Sequence, residues 1–285
     1  MSNETILILG ANGMAGRTVY AYLSKRYKNV FGSVRNKNSI FFNLKAETLL
    51  NDFEEIQKKI KPTFVINCIA VTNKNGARRR FALINSKLPK ELEKLTKKYN
   101  FKLIHLSTDG VFDPSSLNVT EKKSPNAKDP YGKSKILGEV SSDNSITIRS
   151  SLVGFNPNDD KVLFEWFVKN KKKEIKGYTN QNWSGATSLQ IAKLTEFMIS
   201  GKNFDKLRMR SHVYHFAPLG PLTKWNLLNS LKEITLKKIT VIKNKSDNRI
   251  TRYLSSVYFD KNFLSKYTSN IDKALIESIE FEKHI

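Results

Sequence analysis

Short apolar runs alternate with amphipathic segments through the first half of the chain, and this alternation constrains the fold more than any other feature. The apolar runs have the length and composition of buried strands, and the segments between them have helical spacing. Strands that alternate with helices pair in parallel, with crossover helices on both faces of the sheet. We therefore predict an α/β fold built on a doubly wound parallel sheet. The predicted strands are 4–10, 29–34, 63–70, 101–107 and 145–151, and the predicted helices are 14–27, 53–61, 77–100 and 129–140.

The pattern loosens after residue 150. The segments 161–170, 188–200 and 225–234 have helical spacing, whereas 212–217 and 238–242 are strand-like. We predict one domain over residues 1–150 and a smaller α/β lobe over 151–285, with some segments of the second part packing back on the first.

Composition limits the class of protein. The chain has 285 residues, of which 39% are hydrophobic, so it can bury a full core. No apolar run reaches the length of a membrane span, and the N-terminus leads directly into a strand without the pattern of a secretory signal. The single cysteine, Cys68, excludes an internal disulfide framework. We predict a cytoplasmic protein with no membrane association.

The net charge is strongly positive, because 49 basic residues face 26 acidic ones, which gives +23. Such a field attracts phosphates, so nucleic acid and an anionic nucleotide are both candidate partners. The basic residues are spread over stretches that read as outer helix faces, and no zinc-finger, helix-turn-helix or basic–aromatic pattern is present. We therefore predict a small anionic ligand, no nucleic-acid partner and no metal site.

The turn after the first predicted strand reads GANGMAG. Gly10 permits the tight turn, Gly13 lets backbone N–H groups approach a pyrophosphate, and Gly16 lets helix and strand pack closely. The N-terminus of the following helix stabilises the anion. The spacing is GxxGxxG rather than GxGxxG, and an ordinary turn is the alternative. This is the first strand-to-helix turn of the series, and that position favours dinucleotide binding. We therefore predict that residues 1–150 form a dinucleotide-binding Rossmann domain.

The end of the second predicted strand indicates which dinucleotide is bound. NAD sites usually carry an acidic residue there, whereas this strand ends in SVRN, with Arg35. A guanidinium suits a ribose 2′-phosphate, so we predict NADPH, with NADH as the alternative cofactor. A solvated surface cation is the other interpretation of Arg35.

Tyr131 and Lys135 lie four residues apart in YGKSK, at the start of a predicted helix with Asp129 as N-cap and Pro130 in its first turn. Both side chains then project from one face. A cation beside a phenol favours the phenolate, so we expect a lowered pKa of Tyr131 and a group that exchanges a proton with a carbonyl or alcohol. Thr108, at the end of an earlier strand, is placed to bond the carbonyl oxygen. A chance pair on a packing helix is the alternative.

Taken together, GANGMAG, STDGVF and YGKSK resemble the extended short-chain dehydrogenase/reductases. The resemblance extends along the chain through VINCIA, INSKLP, TIRSSLVG and NQNWSGATSLQIAK. These segments are most similar to the dTDP-4-dehydrorhamnose reductase-like branch. Within that branch, the chain is most similar to the subgroup that acts on UDP-linked 2-acetamido-2,6-dideoxy-4-hexuloses. The resemblance implies a nucleotide-sugar substrate bound mainly by residues 151–285, and a homodimer as one alternative for the oligomeric state.

The resemblance also assigns roles to matching residues. It implies a catalytic triad of Thr108, Tyr131 and Lys135. The residues implied in cofactor binding are Gly10, Asn12, Gly13, Met14, Gly16, Arg35, Asn43, Leu44, Cys68, Ile69, Ala70, Asn85, Tyr131 and Lys135. Those implied in substrate binding are Asp109, Arg149, Asn182, Trp183 and Ser184. A buried packing residue is the alternative for Trp183, and packing is the expected role of Cys68.

The implied activity is NADPH-dependent reduction of the C4 ketone of a nucleotide-linked 4-keto-6-deoxy sugar. Some relatives also epimerise the neighbouring carbon, which needs two acid/base groups. This chain has Gly110 and Phe155 where those relatives carry a cysteine and a histidine, so we expect weak or no C3-epimerase activity. The alternatives are a bifunctional 3-epimerase/4-reductase, a dTDP-4-dehydrorhamnose reductase, and a regulatory subunit that binds dinucleotide without turnover.

Overall fold

The computed structural model describes residues 3–36, 40–72 and 78–285. Ala77, the first residue of a predicted helix, lies outside them. The strands are Thr5–Leu9 (β1), Asn29–Val34 (β2), Phe42–Asn43 (β3), Phe64–Asn67 (β4), Lys102–Ser107 (β5), Ser145–Arg149 (β6), Leu152–Val153 (β7), Glu174–Tyr178 (β8), Asn182–Thr187 (β9), Val213–His215 (β10), Leu219–Thr223 (β11) and Thr240–Asn244 (β12). The α-helices are Met14–Ser24 (α1), Leu49–Ile60 (α2), Arg78–Arg80 (α3), Leu88–Tyr99 (α4), Pro130–Gly138 (α5), Leu163–Lys169 (α6), Ser188–Ile199 (α7), Asn203–Arg210 (α8), Lys224–Thr235 (α9), Lys261–Leu264 (α10) and Ile271–Glu282 (α11).

Seven strands form one parallel sheet in the order β10-β6-β5-β4-β1-β2-β3. The predicted doubly wound α/β fold is confirmed. The strand order reverses between β1 and β4, and in such sheets ligands bind in the crevice at the carboxyl ends of the strands beside this reversal. The ends of β1, β4 and β5 therefore mark the expected site.

The central strands are apolar because both faces of the sheet are covered. One face packs against α1, α7 and α8, and the other packs against α2 and α4. In β1, the side chains of Ile6 and Ile8 enter the first core, whereas Leu7 and Leu9 enter the second. This two-sided burial explains why β1 reads as a continuous apolar run.

The second half of the chain forms smaller sheets and also returns to the first. Strands β11, β9 and β7 form one small sheet, and β12 pairs with β8 in another. A third core lies between these strands and α6, α9 and α11. By contrast, α7 packs on α1 and β10 joins the edge of the large sheet.

Several element boundaries differ from the sequence prediction. The helix expected over 77–100 contains a π-helical segment, Phe81–Lys87, and α4 restarts with Pro89 in its first turn, where its missing N–H costs nothing. The strand expected to reach residue 70 ends at Asn67. The described residues contain no helix long and apolar enough to span a bilayer.

Candidate functional site

The glycine-rich turn is shaped to bring backbone close to a ligand and to α1. Gly10 has a φ of +78°, which glycine adopts without strain. A Cβ on Gly16 would lie 2.1 Å from the carbonyl oxygen of Gly10, so only glycine allows this helix to approach the strand end. The N-cap of α1 is Gly13, and within the described part of the chain no side chain caps the N–H groups of its first turn. This helix end is therefore open to an anion.

Two neighbouring depressions in the surface border this turn. A main cavity of about 970 Å³ extends from Gly13 and Met14 past Cys68 to Tyr131 and Lys135. A smaller inner hollow of about 180 Å³ lies on the other side of the turn, and eight of the expected cofactor residues line it: Gly10, Asn12, Gly13, Arg35, Leu44, Cys68, Ile69 and Ala70. The two depressions share Gly13, Cys68 and Ala70, so the turn lies between them.

The side chains of Thr108, Tyr131 and Lys135 meet in the main cavity. Helix α5 begins as the sequence predicts: the Asp129 carboxylate accepts a hydrogen bond from the N–H of Gly132 at 3.0 Å, and Pro130 occupies the first turn. Thr108 follows β5 directly, so the proposed acid and the hydroxyl come from two adjacent elements.

The expected lowering of the Tyr131 pKa is wrong for this structure. Burial raises the pKa of Tyr131 to about 12, with the Thr108 side chain acting in the opposite direction. Lys135 is completely buried and donates a hydrogen bond to the carbonyl oxygen of Leu106 at 2.9 Å. Desolvation lowers the pKa of Lys135 to about 8. The phenol is therefore protonated at neutral pH, and burial disfavours the charged form of the lysine that was expected to lower the pKa of Tyr131.

Gly110 is explained by crowding. A Cβ at this position would lie 3.2 Å from Cε1 of Tyr131 and 3.3 Å from Oγ1 of Thr108. These contacts are tight, so a side chain here requires Tyr131 or Thr108 to shift by a few tenths of an ångström. Phe155 is buried and packs edge-on against Phe164, with ring centroids 3.9 Å apart, so it supplies no polar group to the cavity.

The structure adds Arg252, which the sequence analysis missed. Its guanidinium contacts the Asp109 carboxylate at 3.0 Å through two nitrogens and also donates to the carbonyl oxygen of Phe112. The two charged side chains are 12% and 19% exposed. Asp109 follows Thr108, so Arg252 ties the C-terminal part of the chain to the end of β5. No local pattern marks this pair, because 143 positions separate its members.

Some residues implied in cofactor binding do not line either depression. Asn43 lies in β3, beside Val34 of β2. Asn85 is fully buried and bonds both backbone groups of Val71 as well as the hydroxyl of Ser134, so it braces the cavity wall rather than facing a ligand. Cys68 does line both depressions, and desolvation raises the pKa of its thiol to about 12, which suits a packing residue.

The residues implied in substrate binding also lie outside the lining of the main cavity. Arg149 is buried, with its guanidinium bonded to Glu139 and His215. The hydroxyl of Ser184 accepts the N–H of Leu254, and the Asn182 amide reaches the carbonyl oxygen of Thr251. Trp183 approaches the cavity indirectly, since its indole N–H donates to Ser151, which does line it. In this structure these groups support the walls.

The sequence and the fold both match known proteins. Residues 4–250 match the model of the RmlD substrate binding domain family. Among curated relatives, a dTDP-4-keto-6-deoxy-D-glucose reductase from Streptomyces niveus is 29% identical over 137 residues, which cover 47% of this chain and 45% of that protein. A methionine adenosyltransferase 2 subunit beta from Danio rerio is also 29% identical, over 136 residues that cover 47% of this chain and 42% of that protein. The matched segment thus spans less than half the length of either relative.

Solved structures match over nearly the whole chain. A dTDP-4-dehydrorhamnose reductase from Yersinia enterocolitica has a TM-score of 0.76 at 21% identity, with 98% of this chain and 99% of that chain covered. A dTDP-4-dehydrorhamnose reductase from Bacillus anthracis, in complex with NADP, has a TM-score of 0.75 at 17% identity and the same coverage.

The fold and the glycine-rich turn define a protein with a Rossmann-type α/β fold. Its family follows from the match over residues 4–250: the chain belongs to the RmlD substrate binding domain family.

Proposed function

We propose that this chain reduces the C4 ketone of a nucleotide-linked 4-keto-6-deoxy sugar with NADPH. One observation carries the proposal: a single cavity joins the open N-terminus of α1 to Tyr131, Lys135 and Thr108. The dinucleotide fits the chain's own residues, because Gly16 leaves room for close packing and Gly13 leaves the first N–H groups of α1 uncapped. The family and the matched reductases support the same activity.

Each residue of the triad has a distinct task. Bound NADPH supplies a hydride. Tyr131 is protonated at neutral pH, since burial raises its pKa to about 12, so it holds the proton that the new alkoxide requires. Lys135 carries the nearby positive charge that favours the phenolate left after transfer, and Thr108 positions the carbonyl oxygen. General acid catalysis of this kind contributes about 10²- to 10⁴-fold in rate.

For the substrate we propose UDP-2-acetamido-2,6-dideoxy-L-hexos-4-ulose. The similarity to that subgroup supports this choice, and the positive side chains of Arg80 and Lys161 at the rim of the main cavity suit a diphosphate. The dTDP-linked 4-keto-6-deoxy sugars are the competing substrates, as the names of the matched reductases indicate.

The test incubates the protein with each member of a panel of enzymatically made UDP- and dTDP-linked 4-keto-6-deoxy sugars. Oxidation of NADPH or NADH is monitored by its loss of absorbance. Product configuration is then read by NMR. We expect turnover with the UDP-linked acetamido sugar and a higher kcat/KM for it than for the dTDP-linked sugars. Faster reduction of a dTDP sugar would reject the proposed substrate, and no turnover of any member would reject the reductase.

A separate incubation tests for epimerase activity. Gly110 has no proton to give and Phe155 is buried and apolar, so the chain lacks an evident second acid/base group at these positions. With NADP⁺ and the 4-keto sugar in D₂O, we expect no enzyme-dependent deuterium at C3 above the solvent background. Rapid uptake would contradict this expectation and indicate the bifunctional enzyme.

A second candidate is a regulatory subunit that binds dinucleotide without turnover. The observation that favours it is the similarity to methionine adenosyltransferase 2 subunit beta. Tight binding of NADPH with no reduction of any sugar in the panel, together with a change in the activity of an added adenosyltransferase catalytic subunit, would support this candidate.

A further inference from the structure

The carboxylate of Glu47 lies next to Arg35, the residue that we expected to bind a ribose 2′-phosphate. Oε1 of Glu47 lies 3.5 Å from Nη2 of Arg35. Glu47 follows β3, whereas Arg35 follows β2, so the fold brings them together from two adjacent strands at the edge of the sheet. The inner hollow contains both side chains in its wall.

A third charged side chain lies at the same place. Lys45 lines the inner hollow together with Arg35 and Glu47, and the three also line an adjacent outer pocket of about 620 Å³. The backbone N–H of Lys45 donates to the Asp52 carboxylate at 2.8 Å, which anchors the segment that carries it. Among the described residues, two cations and one carboxylate therefore line the inner hollow where it adjoins the outer pocket.

The two kinds of nicotinamide dinucleotide make opposite demands on these groups. A ribose with free hydroxyls donates hydrogen bonds to a carboxylate, whereas a 2′-phosphate pairs with cations and repels a carboxylate. Glu47 also lies within ion-pair distance of the guanidinium that a 2′-phosphate would use. Both members of the pair are largely exposed, at 60% for Arg35 and 49% for Glu47, so the side chains are able to exchange partners at small cost.

We propose that Glu47 is a specificity-determining residue that lets one site accept both NADH and NADPH. Its carboxylate binds the ribose hydroxyls of NADH, while Arg35 and Lys45 bind the 2′-phosphate of NADPH against the opposition of Glu47. This inference rests on the proposed function, since it assumes that the hollow holds the adenosine end of a dinucleotide.

The test measures binding alone, by calorimetry with 5′-ADP and 2′,5′-ADP at constant ionic strength. Removing an exposed ion pair and a repelling charge is worth about 1 kcal/mol, so Glu47→Gln tightens 2′,5′-ADP by about three- to tenfold. The same variant weakens 5′-ADP by about two- to fivefold, because an amide is a poorer acceptor than a carboxylate. Lys45→Gln weakens 2′,5′-ADP and leaves 5′-ADP unchanged.

The matched control is Glu91→Gln, which removes the same charge from an i,i+3 pair with Lys94 on α4. Urea unfolding verifies that each variant is folded. Equal shifts for both nucleotides in Glu47→Gln, or shifts matched by the control, would overturn the role of Glu47. Failure of either nucleotide to bind the unmodified protein would overturn the dinucleotide site and this inference with it. Selective shifts without sugar reduction would leave Glu47 supported and reject only the reductase.

Discussion

The ion pair between Arg252 and Asp109 gives the sharpest prediction, because it joins distant parts of the chain beside the proposed acid. Replacing Arg252 with Met removes the guanidinium while keeping an apolar side chain of similar length. The Asp109 carboxylate then lies partly buried without its partner, and the carbonyl oxygen of Phe112 loses a donor. Asp109→Asn removes the charge from the other side.

The distance and burial set the magnitude. At 3.0 Å, two unit charges attract by about 5 kcal/mol at an effective dielectric constant near 20. Desolvation of both groups and their residual contact with solvent offset most of this attraction. We expect Arg252→Met to lower the free energy of unfolding by about 3 kcal/mol, with a coupling of about 1–3 kcal/mol between the two sites.

The assay is a double-mutant cycle by urea unfolding, with Arg252→Met, Asp109→Asn and the double variant. A second cycle on Arg208 and Asp143 serves as control, since that pair has a similar distance of 3.2 Å but the carboxylate is 82% exposed. The control coupling should be about 0–0.5 kcal/mol. A coupling between Arg252 and Asp109 no larger than that of the control would refute the structural role assigned to this pair.

Three further predictions follow from the site. Tyr131→Phe should lower reductase activity by about 10²- to 10⁴-fold while NADPH binding, measured by calorimetry, is retained; activity within a few-fold of the unmodified protein would reject Tyr131 as the acid. Gly16→Ala should abolish nucleotide binding and lower the melting temperature, because its Cβ would lie 2.1 Å from the backbone oxygen of Gly10; normal binding would show that the helix does not pack so closely. Burial lowers the pKa of Lys135 from 10.5 to about 8, so the folded chain loses this proton first and the stability contribution of Lys135 rises as pH increases from about 8 to 10.5. Lys135→Met should remove that rise in urea-unfolding curves, and an unchanged pH dependence would contradict the burial of a titrating ammonium.

The strand series and the start of α5 were predictable because their causes are local. A strand covered on both faces must be apolar along its length, so β1, β4 and β5 stand out in the sequence. Asp129 and Pro130 mark a helix start for reasons contained within four residues. The glycine spacing likewise encodes one close approach, that of Gly16 to Gly10.

The second half of the chain was less predictable because its strands are short and pair with distant segments. Strand β7 has two residues, and its partner β9 lies in an irregular small sheet. Strand β12 is mostly exposed, so it lacks the apolar pattern of a buried strand. The sequence does not reveal the ion pairs of Arg252 and Glu47, because each residue reaches its partner only through the tertiary fold.

The protonation state of Tyr131 shows where sequence spacing stops being informative. The four-residue interval places Lys135 on the same helix face, but it does not say how deeply either side chain is buried. Burial disfavours the charged form of both groups, so it raises the pKa of the phenol and lowers that of the ammonium. Lys135 also has a fixed hydrogen bond to the carbonyl oxygen of Leu106. The site therefore holds Tyr131 as a neutral phenol, which is the form that donates a proton. In the proposed reduction, Tyr131 gives this proton to the ketone oxygen as the alkoxide forms.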